Sequence, residues 1–176
     1  LAMAITFGGK NIHAVQLDMV WPDPFHIVKG IEASGKNVEV ILQIGKKKWN
    51  SELLDIVARE KPDLLFVFMY TDELDFETLK YIKEKTKTVS VAWFADDYWR
   101  FFNYSRHWAS YFSWIVTTYS RAVDWYKNAG FDNVLLSQWA CNEAEYKPID
   151  IVKDIDVSFV GQYKSGRGKV IEALRR

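Results

Sequence analysis

Short apolar runs alternate along most of this chain with segments of helical period, and that alternation restricts the fold more than any other feature. Strand-like runs cover Ile12 to Leu17, Val38 to Ile44, Asp63 to Tyr70, the segment KTVSVAW, Phe112 to Thr118, and NVLLSQ. Between them, Asp23 and Pro24 cap and open a helix closing near Gly35, Ser51 to Lys61 carries an apolar stripe, DELDFETLKYIKEK reads as a helix, and Ser120 to Phe131 is a helix ended by Gly130. The run DLLFVFMY is apolar without alternation, as a strand buried on both faces of a parallel sheet must be. Strands separated by helix-length segments require right-handed crossovers. The expectation is an α/β fold, a Rossmann-like, doubly wound parallel sheet. AITFGG, ahead of residue 12, reads either as an extra edge strand or as sequence foreign to the domain.

After Gln138 the character changes. WACNEAEYKPIDIVKD is polar, carries Pro148 and has no clean period, so residues 139–155 are read as a connection. DVSFVGQYKSGRGKVIEALRR then reads as a strand, a loop and a helix, the opening of a second Rossmann-like unit over 156–176. Residues 12–138 form the first domain on this reading, and the second unit looks cut short. A lone strand and helix cannot bury a core, so self-association through this last segment is one expectation.

Composition narrows the partners. Lys plus Arg and Asp plus Glu are 23 each, which leaves no global field to attract nucleic acid. No apolar run approaches the roughly 20 residues that span a bilayer, and no export signal is visible. Cys141 is the only cysteine, which excludes an internal disulfide and fits a reducing, cytoplasmic setting. His13, His26 and His107 have no metal-ligand spacing. Aromatic residues reach 16% with eight Trp, more than a core of this size needs, so some rings should face a ligand.

Ligands of open parallel sheets bind beyond the carboxyl ends of the strands. Those ends carry Asp18, Tyr70 with Thr71, Asp96 with Asp97, and Thr117 with Thr118. Asp97 suits a helix N-cap, and a pair of neighbouring carboxylates near a cleft can also separate in pKa so that one accepts a proton from a hydroxyl. Gly161, Gly166, Arg167 and Gly168 suit either an ordinary turn from strand to helix or a loop whose backbone N–H groups approach phosphate oxygens. Lys46 to Lys48 read most simply as a solvated loop.

Taken in order, WFADD (Trp93 to Asp97), the Thr117 and Thr118 pair, Tyr126 and Gly130, Asn142 with Pro148, and DVSFVG with Arg167 resemble the CgeB-type, spore-maturation-protein-like glycosyltransferases of GT-B fold. The resemblance runs from about residue 12 onward and rests on the order of these pieces. It implies that the first domain serves the acceptor and the second a nucleotide-diphosphate sugar, used as co-substrate with no bound metal and no other cofactor. Asp96 and Asp97 become the catalytic candidates. Asp18, Tyr70, Thr71, Trp93, Tyr98, Thr117, Thr118 and Asn142 become substrate-binding candidates, and Gly161, Gly166 and Arg167 the donor diphosphate site. Tyr98 stands where that family often carries proline. Two other readings stay open: a noncatalytic sugar- or nucleotide-binding module on the same fold, and a receiver-like domain. The acid pair follows the fourth strand and not the first, which weighs against the latter.

Overall fold

A computed structural model describes residues 13–18, 37–42, 46–68, 72, 74–139, 146–161 and 166–174. The chain divides into two compact units, Leu1–Glu145 and Tyr146–Arg176. The first unit holds β1 (His13–Asp18), β2 (Asn37–Leu42), α1 (Lys46–Glu60), β3 (Leu64–Phe68), α2 (Phe76–Lys85) and β4 (Val89–Phe94). It continues with α3 (Asp97–Arg100), a π-helical segment (Phe101–Ser105), α4 (Arg106–Ala109), β5 (Trp114–Thr117), α5 (Ser120–Asn128) and β6 (Val134–Leu136). The six strands form one sheet in the order β2-β1-β3-β4-β5-β6, and every pairing is parallel. The fold is therefore the expected α/β, Rossmann-like parallel sheet, in the doubly wound order that reverses between β1 and β3. The helix expected from Asp23 and Pro24 lies outside the described residues.

The central strands β3 and β4 are buried on both faces, which is why β3 reads as an unbroken apolar run. Leu65 and Val67 of β3 join Ala92, Phe94 and Ile115 in one core cluster, packed by Leu53, Ile56 and Val57 of α1 and by Leu79 and Ile82 of α2. Leu64 and Phe66 point the other way, into a second cluster with Val91, Trp93 and Val116. The alternation follows from the two-residue period of a strand.

The helix boundaries move from those expected. α1 begins at Lys46, so Lys46 to Lys48 belong to its first turn and not to a loop. α2 begins at Phe76, where the Asp75 N–H donates to Asn50 Oδ1 at 2.9 Å and ties the start of α2 to α1. The aromatic stretch after Asp97 is three short helical pieces. Its rings pack the ends of the core: Phe101 meets Tyr126 edge-on at 4.8 Å, and Trp108 lies 4.3 Å from Phe76.

α5 ends as its sequence predicts. Gly130 adopts φ of +89°, and its N–H donates to the Lys127 carbonyl at 2.9 Å. A Cβ at residue 130 would meet nothing within 4 Å, so the cost of alanine there is backbone strain alone. Gly130→Ala is expected to lower stability by about 1 kcal/mol, read from the shift in a denaturant unfolding curve.

In the second unit, α6 spans Arg167–Leu174. The strand expected over Val157 to Gly161 is not formed: residues 157–160 have no ladder partner among the described residues, and Val157, Phe159 and Val160 are exposed. A strand exists only where a neighbour takes up its N–H and carbonyl groups, so apolar alternation alone cannot create one. No helix of the described residues is long and apolar enough to cross a membrane.

Candidate functional site

The register of the central strands brings the candidate residues together. β4 pairs with β5 so that Phe94 stands opposite Thr117, which sets Ala95, Asp96 and Asp97 beside Thr117 and Thr118. The Thr118 hydroxyl donates to the Ala95 carbonyl at 2.8 Å and fixes the turn leaving β4. Asp96 occupies the N-cap position of α3, though its side chain makes no capping bond. Its carbonyl instead accepts from the N–H groups of Trp99 at 3.2 Å and Arg100 at 3.0 Å.

The two acids have opposite environments. Asp97 is fully buried at the first turn of α3. Its carboxyl accepts the Tyr126 hydroxyl at 3.1 Å and the Ser105 hydroxyl in a short hydrogen bond, with Thr117 a further partner. Burial pushes the Asp97 carboxyl above its usual range, while hydrogen bonds from Ser105, Thr117 and Tyr126 and the charge of Arg100 oppose the shift. Burial, together with the Asp97 charge, drives the Tyr126 phenol far above its ordinary value. This carboxyl is closed to an acceptor. It is a structural knot joining β4, the π-helical segment, β5 and α5.

Asp96 is half-exposed. It lines a shallow depression with Phe68, Phe94, Ala95, Arg100, Tyr104 and Ser105, whose volume of about 10 Å³ suits a single water molecule. The Arg100 guanidinium stacks over the Tyr104 ring at 3.9 Å and lies 5.5 Å from the Trp99 ring. Tyr98 is exposed, with its ring 6.4 Å from both Trp99 and Tyr119. Trp99 and Phe102 are exposed as well. A half-exposed carboxylate is thus followed within six residues by three exposed rings, Tyr98, Trp99 and Phe102, groups able to hold a sugar ring by stacking and a hydroxyl by hydrogen bonding.

Other candidates fall elsewhere. Trp93 is buried on the opposite sheet face from Phe94, near Phe66 at 6.2 Å and Trp139 at 5.8 Å, and its indole N–H has no hydrogen-bond partner among the described residues. Period-two alternation separates it from Asp97. Thr117 is buried and its hydroxyl accepts the Tyr119 N–H at 3.3 Å. Asp18 ends β1, one residue past the pairing of Leu17 with Val67, beside the point where the strand order reverses. Tyr70, Thr71 and Asn142 lie outside the described residues.

In the second unit, a Cβ at Gly161 would come within 2.9 Å of the Phe159 ring. Gly166 takes φ of +95°, and Arg167 opens α6. Among the described residues no group of three or more His, Cys, Asp and Glu is placed to hold a metal ion.

Sequence reasoning missed Ser105 and Tyr126 as partners of Asp97. Tyr126 is 29 residues away, and only its place on the apolar stripe of α5 hinted at burial. Ser105 is eight residues on, about 12 Å along the axis of a regular α-helix, too far for a side-chain hydrogen bond; the break of this stretch into three short helical pieces is what the sequence does not announce.

No family model matches the chain, and no curated protein matches it. Among solved structures, it is similar to the N-terminal domain of a response regulator receiver protein from Methanoculleus marisnigri JR1, at 17% identity and a TM-score of 0.40, over 68% of this chain and 94% of that one.

Proposed function

We propose that the chain contains the acceptor-binding domain of a CgeB-type, GT-B glycosyltransferase that moves a sugar from a nucleotide-diphosphate donor to a carbohydrate or other hydroxyl acceptor. One observation carries the reading: Asp96 is a half-exposed carboxylate at the end of a central strand, followed two and three residues on by the exposed rings of Tyr98 and Trp99. In the reaction, the Asp96 carboxylate takes the proton of the acceptor hydroxyl as its oxygen attacks the anomeric carbon. The bond from that carbon to the donor breaks, and the electron pair leaves with the diphosphate. Gly161, Gly166 and Arg167 are assigned to the diphosphate, whose charge a guanidinium and backbone N–H groups would offset. The metal-independent chemistry is what the family resemblance implies, and the single Cys141 fits a cytoplasmic setting.

The shallowness of the depression at Asp96 favours a second reading, a noncatalytic carbohydrate-binding module that uses the aromatic faces alone. The two readings share a binding test and part at turnover. Titration with a panel of oligosaccharides should quench tryptophan fluorescence saturably, and Trp99→Ala should weaken that binding about fivefold, the loss of one stacked ring. Trp99 is exposed, so the variant should unfold at the wild-type midpoint. A panel without a saturable response would remove both readings.

A further inference from the structure

At the amino end of the sheet, where α1 runs into β3 and α2 runs into β4, the first unit folds a cleft of about 480 Å³. That volume is ordinary for a small-molecule site. Three lysines line it, Lys61, Lys85 and Lys87, with the ring of Tyr81 on the wall and Asp63 as the carboxylate among them. Asp96 lies at the other end of the strands, so the cleft is separate from the acceptor site.

Hydrogen bonds hold its frame. The buried Thr88 hydroxyl donates to the Pro62 carbonyl at 2.7 Å, and the Val89 N–H donates to the Asp63 carbonyl at 2.9 Å. Thr86 donates its hydroxyl to the Ile82 carbonyl at 2.6 Å and accepts the Thr88 N–H at 3.2 Å. The backbones that carry Lys61 and Lys87 are therefore pinned to each other, and the lysine stems start from fixed points.

Lys61 has an unfavourable conformation for its residue type. Its φ is +48°, and its N–H donates to the Val57 carbonyl at 3.1 Å, ending α1 with a left-handed residue. Glycine is the usual occupant of such a position, and any other residue costs about 1 kcal/mol. α5 ends on a left-handed residue too and uses Gly130. The lysine at residue 61 thus carries a cost in backbone energy, at one of the two helix ends that open into the cleft.

We propose that this cleft binds a compact polyphosphate, with the ammonium groups of Lys61, Lys85 and Lys87 around its oxygens and Tyr81 placed to stack on a base where the polyphosphate is a nucleotide. Three positive charges against the single carboxylate of Asp63 favour an anion of several charges over a monoanion. The inference does not rest on the glycosyltransferase reading.

Calorimetric titration with inorganic pyrophosphate should give saturable, sub-millimolar binding that weakens as salt rises. Lys85→Gln/Lys87→Gln should reduce affinity about tenfold at an unchanged melting temperature, because both side chains are exposed. Lys61→Gly should bind severalfold more weakly and yet melt a few degrees higher, since it releases the strain at residue 61. That pairing is one a merely structural lysine would not produce. Adenosine triphosphate separates the sources: tighter binding than pyrophosphate, reduced to the pyrophosphate level by Tyr81→Ala, marks a nucleotide site, and equal binding marks an inorganic polyphosphate site. Asp96→Asn should leave all of these values in place. No saturable binding of pyrophosphate, binding undiminished in Lys85→Gln/Lys87→Gln, or sulfate competing as well as pyrophosphate would overturn the proposal. A Lys61→Gly variant that melts higher at undiminished affinity would overturn the role of Lys61.

Discussion

Replacing Asp97 by alanine is expected to destabilise the chain by about 3 kcal/mol, because it strands the hydroxyls of Ser105 and Tyr126 in a buried site at about 1–3 kcal/mol for each unsatisfied group. Denaturant unfolding followed by circular dichroism measures it. Asp97→Asn keeps the shape and one acceptor oxygen, so its loss should be smaller, about 1 kcal/mol. The pH dependence of the difference between wild type and Asp97→Asn then isolates the charge. Burial raises the folded-state pKa of Asp97 above its ordinary value of 3.8. Between those two values the folded chain holds a proton that the unfolded chain has released, so stability falls as pH rises through the window. The contribution of Asp97 is accordingly full below 3.8 and is lost as pH passes its raised folded value. Relative to Asp97→Asn, wild type should gain stability on acidification from neutral pH toward 4, against the usual direction for a carboxylate. The groups facing this carboxyl are Ser105, Thr117, Tyr126 and Arg100; of these, Tyr126, driven far above its ordinary value, stays protonated across the range. A difference that is flat with pH would show that the hydrogen bonds and Arg100 cancel the effect of burial.

Asp96→Asn is expected to lower kcat for sugar transfer by about 10²-fold or more, with KM for the acceptor little changed. The amide keeps the size of the carboxylate and loses its capacity to take the acceptor proton. Folding should be unaffected, since Asp96 makes no side-chain capping bond and is half-exposed. This readout separates the acids cleanly: the Asp97 variants act on stability, the Asp96 variant on turnover. Wild-type turnover in Asp96→Asn would remove the base from the proposal. The transfer assay needs a polypeptide that carries a complete donor-binding unit, since this chain alone is expected to be inactive; oligosaccharide binding without any transfer by that longer polypeptide would leave the noncatalytic module in its place.

Much of the architecture was legible because each signal was local. The unbroken apolar run of β3 follows from burial on two faces, and helix-length segments between strands permit only parallel crossovers. Gly130 was readable as a helix end because the left-handed conformation selects glycine. Lys61 was not, since nothing local to a lysine announces a left-handed backbone. The helical start at Lys46 was hidden by three successive lysines, whose charge resembles a solvated loop while their helix propensity is good. Val157 to Val160 carried the composition of a strand, yet pairing is a property of two segments, and the described second unit provides none.

The candidate site divides along the same line. Period and strand-end logic were enough to set Asp96 and Asp97 at the carboxyl end of β4, because a buried run must end where the chain turns to solvent. The sequence by itself determined the parallel α/β sheet, the place of the acid pair after its fourth strand and the abundance of rings around it. Only the tertiary structure decided which acid meets solvent. That choice depends on Ser105, at the end of the π-helical segment, and on Tyr126 of α5, 29 residues away, both meeting Asp97. Two adjacent carboxyls are chemically equal in sequence; they become different when long-range packing surrounds one with donors and removes its water, while the other stays at the surface where a proton can still be exchanged.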